Sequence, residues 1–181
     1  MRKLLLFVCF SIVLLFMSAC GNEEKSKEDS SAEQESTDIS DSAREFGEKF
    51  IKALYTIEDT DFDLENPENM QAYQDEFASY FTEDEFEALN NKRFFIMPQE
   101  VAAKQKNTID VKDITLEASD DSKEDDSIEF EHAFTLIFKD EDGKEVDNAE
   151  LAGQMVIENM DDDLIISRYY DEGIPNELLQ P

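Results

Sequence analysis

Cysteine is nearly missing from this chain: there are two, Cys9 and Cys20. Cys9 lies in an apolar leader that is expected to be removed, which leaves one thiol and no possible internal disulfide. The mature fold must therefore stand on its own core. Tryptophan is absent and histidine occurs once, as His132. One histidine and one cysteine do not make a zinc cluster. No Gly-rich phosphate loop, dinucleotide fingerprint or nucleophile elbow is present, so no catalytic residue, cofactor or metal is assigned. Basic residues are scarce, 16 Lys and Arg against 46 Asp and Glu, for a formal charge of -30. A surface of that sign is repelled by nucleic-acid phosphates and by anionic lipid. It leaves room for a basic protein or an envelope component as partner, although a solvated acidic surface alone accounts for it. Finally, no apolar run reaches the roughly 20 residues needed to cross a bilayer. The longest, Leu4 to Phe16, is interrupted by Ser11.

That run is nevertheless informative. Arg2 and Lys3 precede it and small residues follow it, the layout of a secretory signal. Ordinary cleavage after Ala19 would place bulky Met17 where a small residue is wanted. The step Met17-Ser18-Ala19-Cys20 resembles the lipobox of bacterial lipoproteins. The resemblance implies that residues 1–19 are a signal peptide and that the Cys20 thiol takes a diacylglyceryl group as a thioether. The chain would then be held on the extracytoplasmic face of a cell membrane, its anchor built from palmitate-type acyl chains. Two such chains give stable anchoring where one does not.

Residues 20–37 follow as an acidic, serine-rich tether with almost nothing apolar, expected to be disordered. A single domain is expected over residues 38–175, large enough for its own core. Ala43, Phe46, Phe50, Leu54 and Ile57 recur at helical spacing, which predicts a first helix from about Asp41 to Ile57 with Ser40 as cap. Gly47 on that face allows another element to come close. Asn66-Pro67 opens a second helix, Asn as cap and Pro at the first helical position. Thr82 and Glu85 have capping-box spacing at the start of a third, which runs to Asn90-Asn91. Phe94 to Met97 reads as a small strand or a core-plugging loop ended by Pro98, and Glu100 to Lys106 as a helical turn.

From Thr108 the period changes to two. The parity of Ile109 and Val111 differs from that of Ile114 and Leu116, which predicts a bulge at Lys112-Asp113. Ile128, Phe130, His132, Phe134, Leu136 and Phe138 share one face of a long strand. Asp142-Gly143 reads as a hairpin turn. Two more strands follow, about Ala149 to Asn159 and Leu164 to Tyr170. The acidic turn at Asp140 to Gly143 has Phe138 where the first ligand of a calcium loop would fall, so no calcium site is assigned there.

The predicted fold class is thus α+β: three N-terminal helices packed on a curved, four-stranded antiparallel sheet. This order over about Asp38 to Tyr170 resembles the cone-like nuclear transport factor two-like and cystatin-like folds, and small lipoproteins of low-GC Gram-positive bacteria. Two functional readings follow. The first is a membrane-anchored, non-enzymatic binding or accessory module. The alternative is a small-molecule-binding or isomerase/dehydratase-like protein with a pocket between helices and sheet, lined by His132, Tyr73, Tyr170 and Arg168. For His132 the competing reading is a core histidine. Arg168 faces inward if Leu164, Ile166 and Tyr170 do, and outward if Ile165 and Tyr169 take the core side. A two-lobed solute-binding subunit is disfavoured by length.

Overall fold

The computed structural model describes residues 29–119, 126–161, 163–175 and 178, with side chains described from Ile39 onward. The leader, Cys20 and the tether up to residue 28 lie outside the described residues, as do residues 120–125 of the acidic turn that the sequence places at Asp120 to Asp126. The chain divides into two units, residues 1–36 and 37–181. Of the first, only 29–36 are described, as helix. In the second, every described core side chain falls between Ala43 and Leu178. That unit carries its own hydrophobic core.

Among the described residues four α-helices precede the sheet, where three were expected: α1 (Asp29–Tyr55), α2 (Pro67–Asp75), α3 (Glu83–Asn91) and α4 (Met97–Gln105). A 3-10 turn, Ala78–Tyr80, joins α2 to α3. The helix α1 begins upstream of the expected Asp41 and passes through Ser40, which caps nothing. Residues 29–36 include Ala32, Glu33, Gln34 and Glu35, good helix formers, and extending an existing helix costs far less than starting one. The fourth helix comes from Pro98. It does not end the apolar run but occupies the first turn of α4, where its missing N–H is not needed.

Asn66 caps α2 as its sequence indicates, its side chain accepting from the backbone N–H groups of Glu68 and Asn69. The capping box expected at Thr82 does not form; the Thr82 side chain makes no cap bond. The backbone N–H that Glu85 would have accepted is already donated to the Ile166 carbonyl, at 3.1 Å. Glu85 is thereby released, and its carboxylate accepts from the Tyr169 backbone N–H at 2.8 Å. A local motif has been replaced by two ties between α3 and the last strand.

The four strands are β1 (Thr108–Ala118), β2 (Ser127–Lys139), β3 (Glu145–Met160) and β4 (Asp163–Asp171), an antiparallel meander in the order β1-β2-β3-β4. The bulge falls where the parity shift placed it: the β1–β2 register slips between Lys112 and Thr115, and Asp113 has φ 53°. At the β2–β3 hairpin Gly143 adopts φ 74°. The Asp140 carboxylate accepts from the N–H groups of Asp142 and Lys144, so its oxygens serve the turn.

The helices cover one face of the sheet. At Gly47 the helix comes close to the sheet: a Cβ there would lie 2.6 Å from Leu116 Cδ2 and 2.8 Å from Met155 Sδ. Phe50 packs edge-on against Phe81 and Tyr169, and Phe77 stacks on Phe95. Phenylalanine does the work that tryptophan and disulfides do elsewhere. Both sheet edges are met by other chain segments. Ile57 bridges Ile109 on β1, and Phe81 bridges Ile166 on β4. Arg44 also donates its Nε–H to the Leu116 carbonyl on β1. Such cover blunts edges that would otherwise pair with other chains. Among the described residues no helix is long and apolar enough to cross a membrane.

Candidate functional site

The site assembles where β4 ends. On that strand the register slips so that Ile157 opposes Ile166 and Val156 opposes Arg168. Ser167 is the extra residue, and the inward face passes from Ile166 to Tyr169 and Asp171. Neither simple parity holds for the whole strand. Arg168 is left on the exposed side and lines neither cavity described here.

Asp171 is buried, 8% exposed. Its Oδ2 accepts from the Tyr55 phenol at 2.5 Å and from the Tyr169 phenol at 2.9 Å. Its Oδ1 accepts from the Gly173 backbone N–H at 2.8 Å, in a turn where Gly173 has φ 72°. Burial raises the Asp171 carboxyl above the usual carboxylate range, while the hydrogen bonds from Tyr55, Tyr169 and Gly173 pull the other way. Both phenols are raised well above the ordinary tyrosine value, by burial first and then by neighbouring charge. They are donors and stay protonated.

A cavity of about 260 Å³ opens beside this cluster, lined by Tyr55, Leu89, Lys92, Phe94, Met97, Pro98, Tyr169, Asp171 and Ile174, among others. Its walls come from the end of α1, the α3–α4 connection and the residues after β4. It is apolar apart from the Asp171 cluster and the charged rim of Lys92 and Glu172.

His132 lies behind Tyr169. Its ring is held between Phe134 and Tyr169, with centroids 5.9 and 5.1 Å away and planes tilted by only 16° and 18°. It is 3% exposed, and neither ring nitrogen has a hydrogen-bond partner among the described residues. Burial lowers its pKa to about 4. It is therefore a neutral ring at physiological pH, with no carboxylate to orient it for acid–base work. Gly153 stands opposite it on β3. A Cβ at Gly153 would meet the Tyr170 carbonyl at 2.0 Å and His132 Nε2 at 2.8 Å.

An open groove of about 580 Å³ runs over the outer side of the sheet, lined by Thr115, Glu117, Glu131, Gln154, Tyr170 and Glu172 with His132 and Gly153. Tyr170 and Glu172 border both this groove and the inner cavity. Of the four residues expected to line a pocket between helices and sheet, His132 and Tyr170 share only the outer groove, and Tyr170 is 63% exposed. Tyr73 lies apart on α2, against Phe62 and Phe77, its buried phenol pushed up to about 12.

The residues that sequence reasoning missed are Tyr55, Tyr169 and Asp171. Tyr55 reads as one more member of the helical stripe, and Asp171 as one of 46 acids. No group of three or more His, Cys, Asp or Glu able to hold a metal occurs among the described residues.

No family model matches the chain. No curated protein matches it in sequence. Among solved structures it is similar to an IcmL-like type IV secretion system protein from Legionella pneumophila, at 18% identity and a TM-score of 0.47, over 72% of this chain and 89% of that one. It is also similar to a periplasmic fragment of TraM, at 12% identity and a TM-score of 0.44, over 70% of this chain and 91% of that one. Likeness of this degree carries nothing about function.

Proposed function

We propose that this chain is an extracytoplasmic lipoprotein, moored to the membrane through acyl chains on Cys20, whose folded unit is a non-enzymatic binding module. The observation that carries the reading is the run from Arg2 to Cys20: a basic start, an apolar stretch too short to span, and a small-residue step into cysteine. The chemistry of the folded unit is in keeping with it. His132 is neutral and has no hydrogen-bond partner among the described residues, and the Asp171 carboxylate is engaged by Tyr55, Tyr169 and Gly173. A strongly acidic surface favours a basic protein or envelope component as partner.

The test is the intact mass of the protein extracted from membranes, beside a Cys20→Ser variant. The expected result is a chain beginning at Cys20 and carrying a diacylglyceryl increment, with the variant retained as unmodified precursor. An unlipidated mature chain, or a precursor in both samples, would end the proposal.

A second reading is favoured by one specific observation, the cavity of about 260 Å³ beside the buried Asp171. On this reading the module takes a small molecule between helices and sheet. Its test is saturable binding of small apolar compounds to the folded unit.

A further inference from the structure

We infer that the cavity beside Asp171 takes a small organic ammonium, a primary or secondary amine carried on an apolar body. The inference rests on the small-molecule reading above and names the ligand class for it.

Size comes first. The cavity measures about 260 Å³, roughly nine times the volume a water molecule occupies in the liquid. That is below the common range for drug-sized ligands, so the occupant is small. The walls come next. Leu89, Phe94, Met97 and Ile174 offer hydrocarbon and ring surface, which a polar or multiply charged solute would not repay for its lost hydration.

The polar end is Asp171. A carboxylate offers about four acceptor positions. Three are filled, two on Oδ2 by the tyrosines and one on Oδ1 by the Gly173 N–H. Among the described residues one acceptor position, on Oδ1, has no donor. All three donors are neutral, and no ion pair to Asp171 occurs among the described residues. A buried carboxylate is stabilised most by a cation that also donates a hydrogen bond. An ammonium N–H does both.

Electrostatics selects the same sign. The chain carries a formal charge of -30, which concentrates cations near the surface and repels anions. A carboxylate ligand would find only Lys92, exposed on the rim and countered by Glu172. A metal ion lacks the donors.

The experiment uses residues 21–181, which keep α1 whole, in low-salt buffer and isothermal titration with three probes of one shape: phenethylamine, phenethyl alcohol and phenylpropanoate. The amine is expected to bind saturably and at least about tenfold more tightly than the alcohol, and the acid not at all. Asp171→Asn, confirmed as folded by circular dichroism, is expected to bring the amine down to the alcohol's affinity. Lys92→Glu alters only an exposed rim residue and is expected to tighten amine binding severalfold. Should Asp171→Asn not fold, an unchanged amine affinity in Lys92→Glu overturns the inference. Equal binding of amine and alcohol also overturns it while leaving the cavity a ligand site. Absence of saturable binding by all three removes the inference and the small-molecule reading together.

Discussion

Tyr55 and Asp171 are separated by 116 positions in the chain and meet through a 2.5 Å hydrogen bond from phenol to carboxylate. The bond fastens the end of α1 to the end of β4. It also makes the packing of the helical layer depend on the protonation state of one buried acid.

Tyr55→Phe removes one of the three hydrogen bonds that stabilise the Asp171 carboxylate. A bond to a charged group contributes about 1.5–3 kcal/mol, so a loss of about 2 kcal/mol is expected near neutral pH. Burial already holds the Asp171 carboxyl above its usual range, and the Tyr55 bond opposes that rise. Without it the carboxyl rises further. Its charged form is the one penalised, so the variant's deficit should shrink as pH falls and Asp171 takes up a proton. Urea denaturation of both proteins at neutral and acidic pH measures this. A deficit independent of pH would contradict it.

His132 supplies a second pH dependence, of opposite sense. Its folded pKa is about 4, below the unfolded value of about 6.5. The unfolded chain therefore takes up a proton that the folded chain refuses. The stability tied to the neutral ring is intact above about pH 6.5 and is lost progressively from there down to about pH 4, costing about 1 kcal/mol by pH 5.5. Most carboxylates remain charged in the upper part of that window. His132→Leu, which does not titrate and leaves no unpartnered nitrogen, should flatten the slope between about pH 7 and 5.5. An unchanged slope would show that other groups set it.

Two glycines should respond differently to alanine. At Gly47 the new methyl meets the ends of two flexible side chains, Leu116 and Met155. Alanine also improves helix propensity by about 1 kcal/mol, so Gly47→Ala should stay within about 1 kcal/mol of wild type. At Gly153 the methyl meets the Tyr170 carbonyl and the Asp171 Cα, backbone that cannot swing aside. Gly153→Ala should cost about 3 kcal/mol, the upper end for overpacking, and should disturb the Asp171 cluster. Thermal melts of the two variants, with tyrosine absorbance for the second, check this. Equal costs would refute it.

Salt should stabilise the fold. With 46 acids against 16 bases, self-repulsion outweighs the few exposed ion pairs, such as Arg44–Asp41 and Lys52–Glu48. Raising ionic strength from about 0.01 M to about 1 M shortens the screening length from about 30 to about 3 Å. The melting temperature should climb across that range. A fall would mean that attractive pairs dominate.

Much of the sheet was legible because its signals are local. Asp142-Gly143 marks its turn by chemistry, and the bulge at Asp113 shows as a shift of parity on either side. Asn66-Pro67 likewise announces α2. The bulge at Ser167 gave no such sign. Ile165 and Ile166 are both apolar, and Tyr169 and Tyr170 both aromatic, so the alternation cannot say which of each pair is buried. The side taken by Arg168 was left open, and Asp171 overlooked, for that reason. Thr82 and Glu85 failed in another way, since the capping box was locally sound but the Ile166 carbonyl claimed its N–H. The Asp171 cluster depends on both non-local facts, and so lay out of reach of the sequence.

Ile57 and Phe81 occupy the two outer margins of the sheet, with Arg44 holding a third point. A visiting peptide would have to evict one of them before it could be woven in as an extra strand. A partner of the binding module proposed above is therefore expected to be grasped by side chains and hollows more readily than added to the backbone ladder.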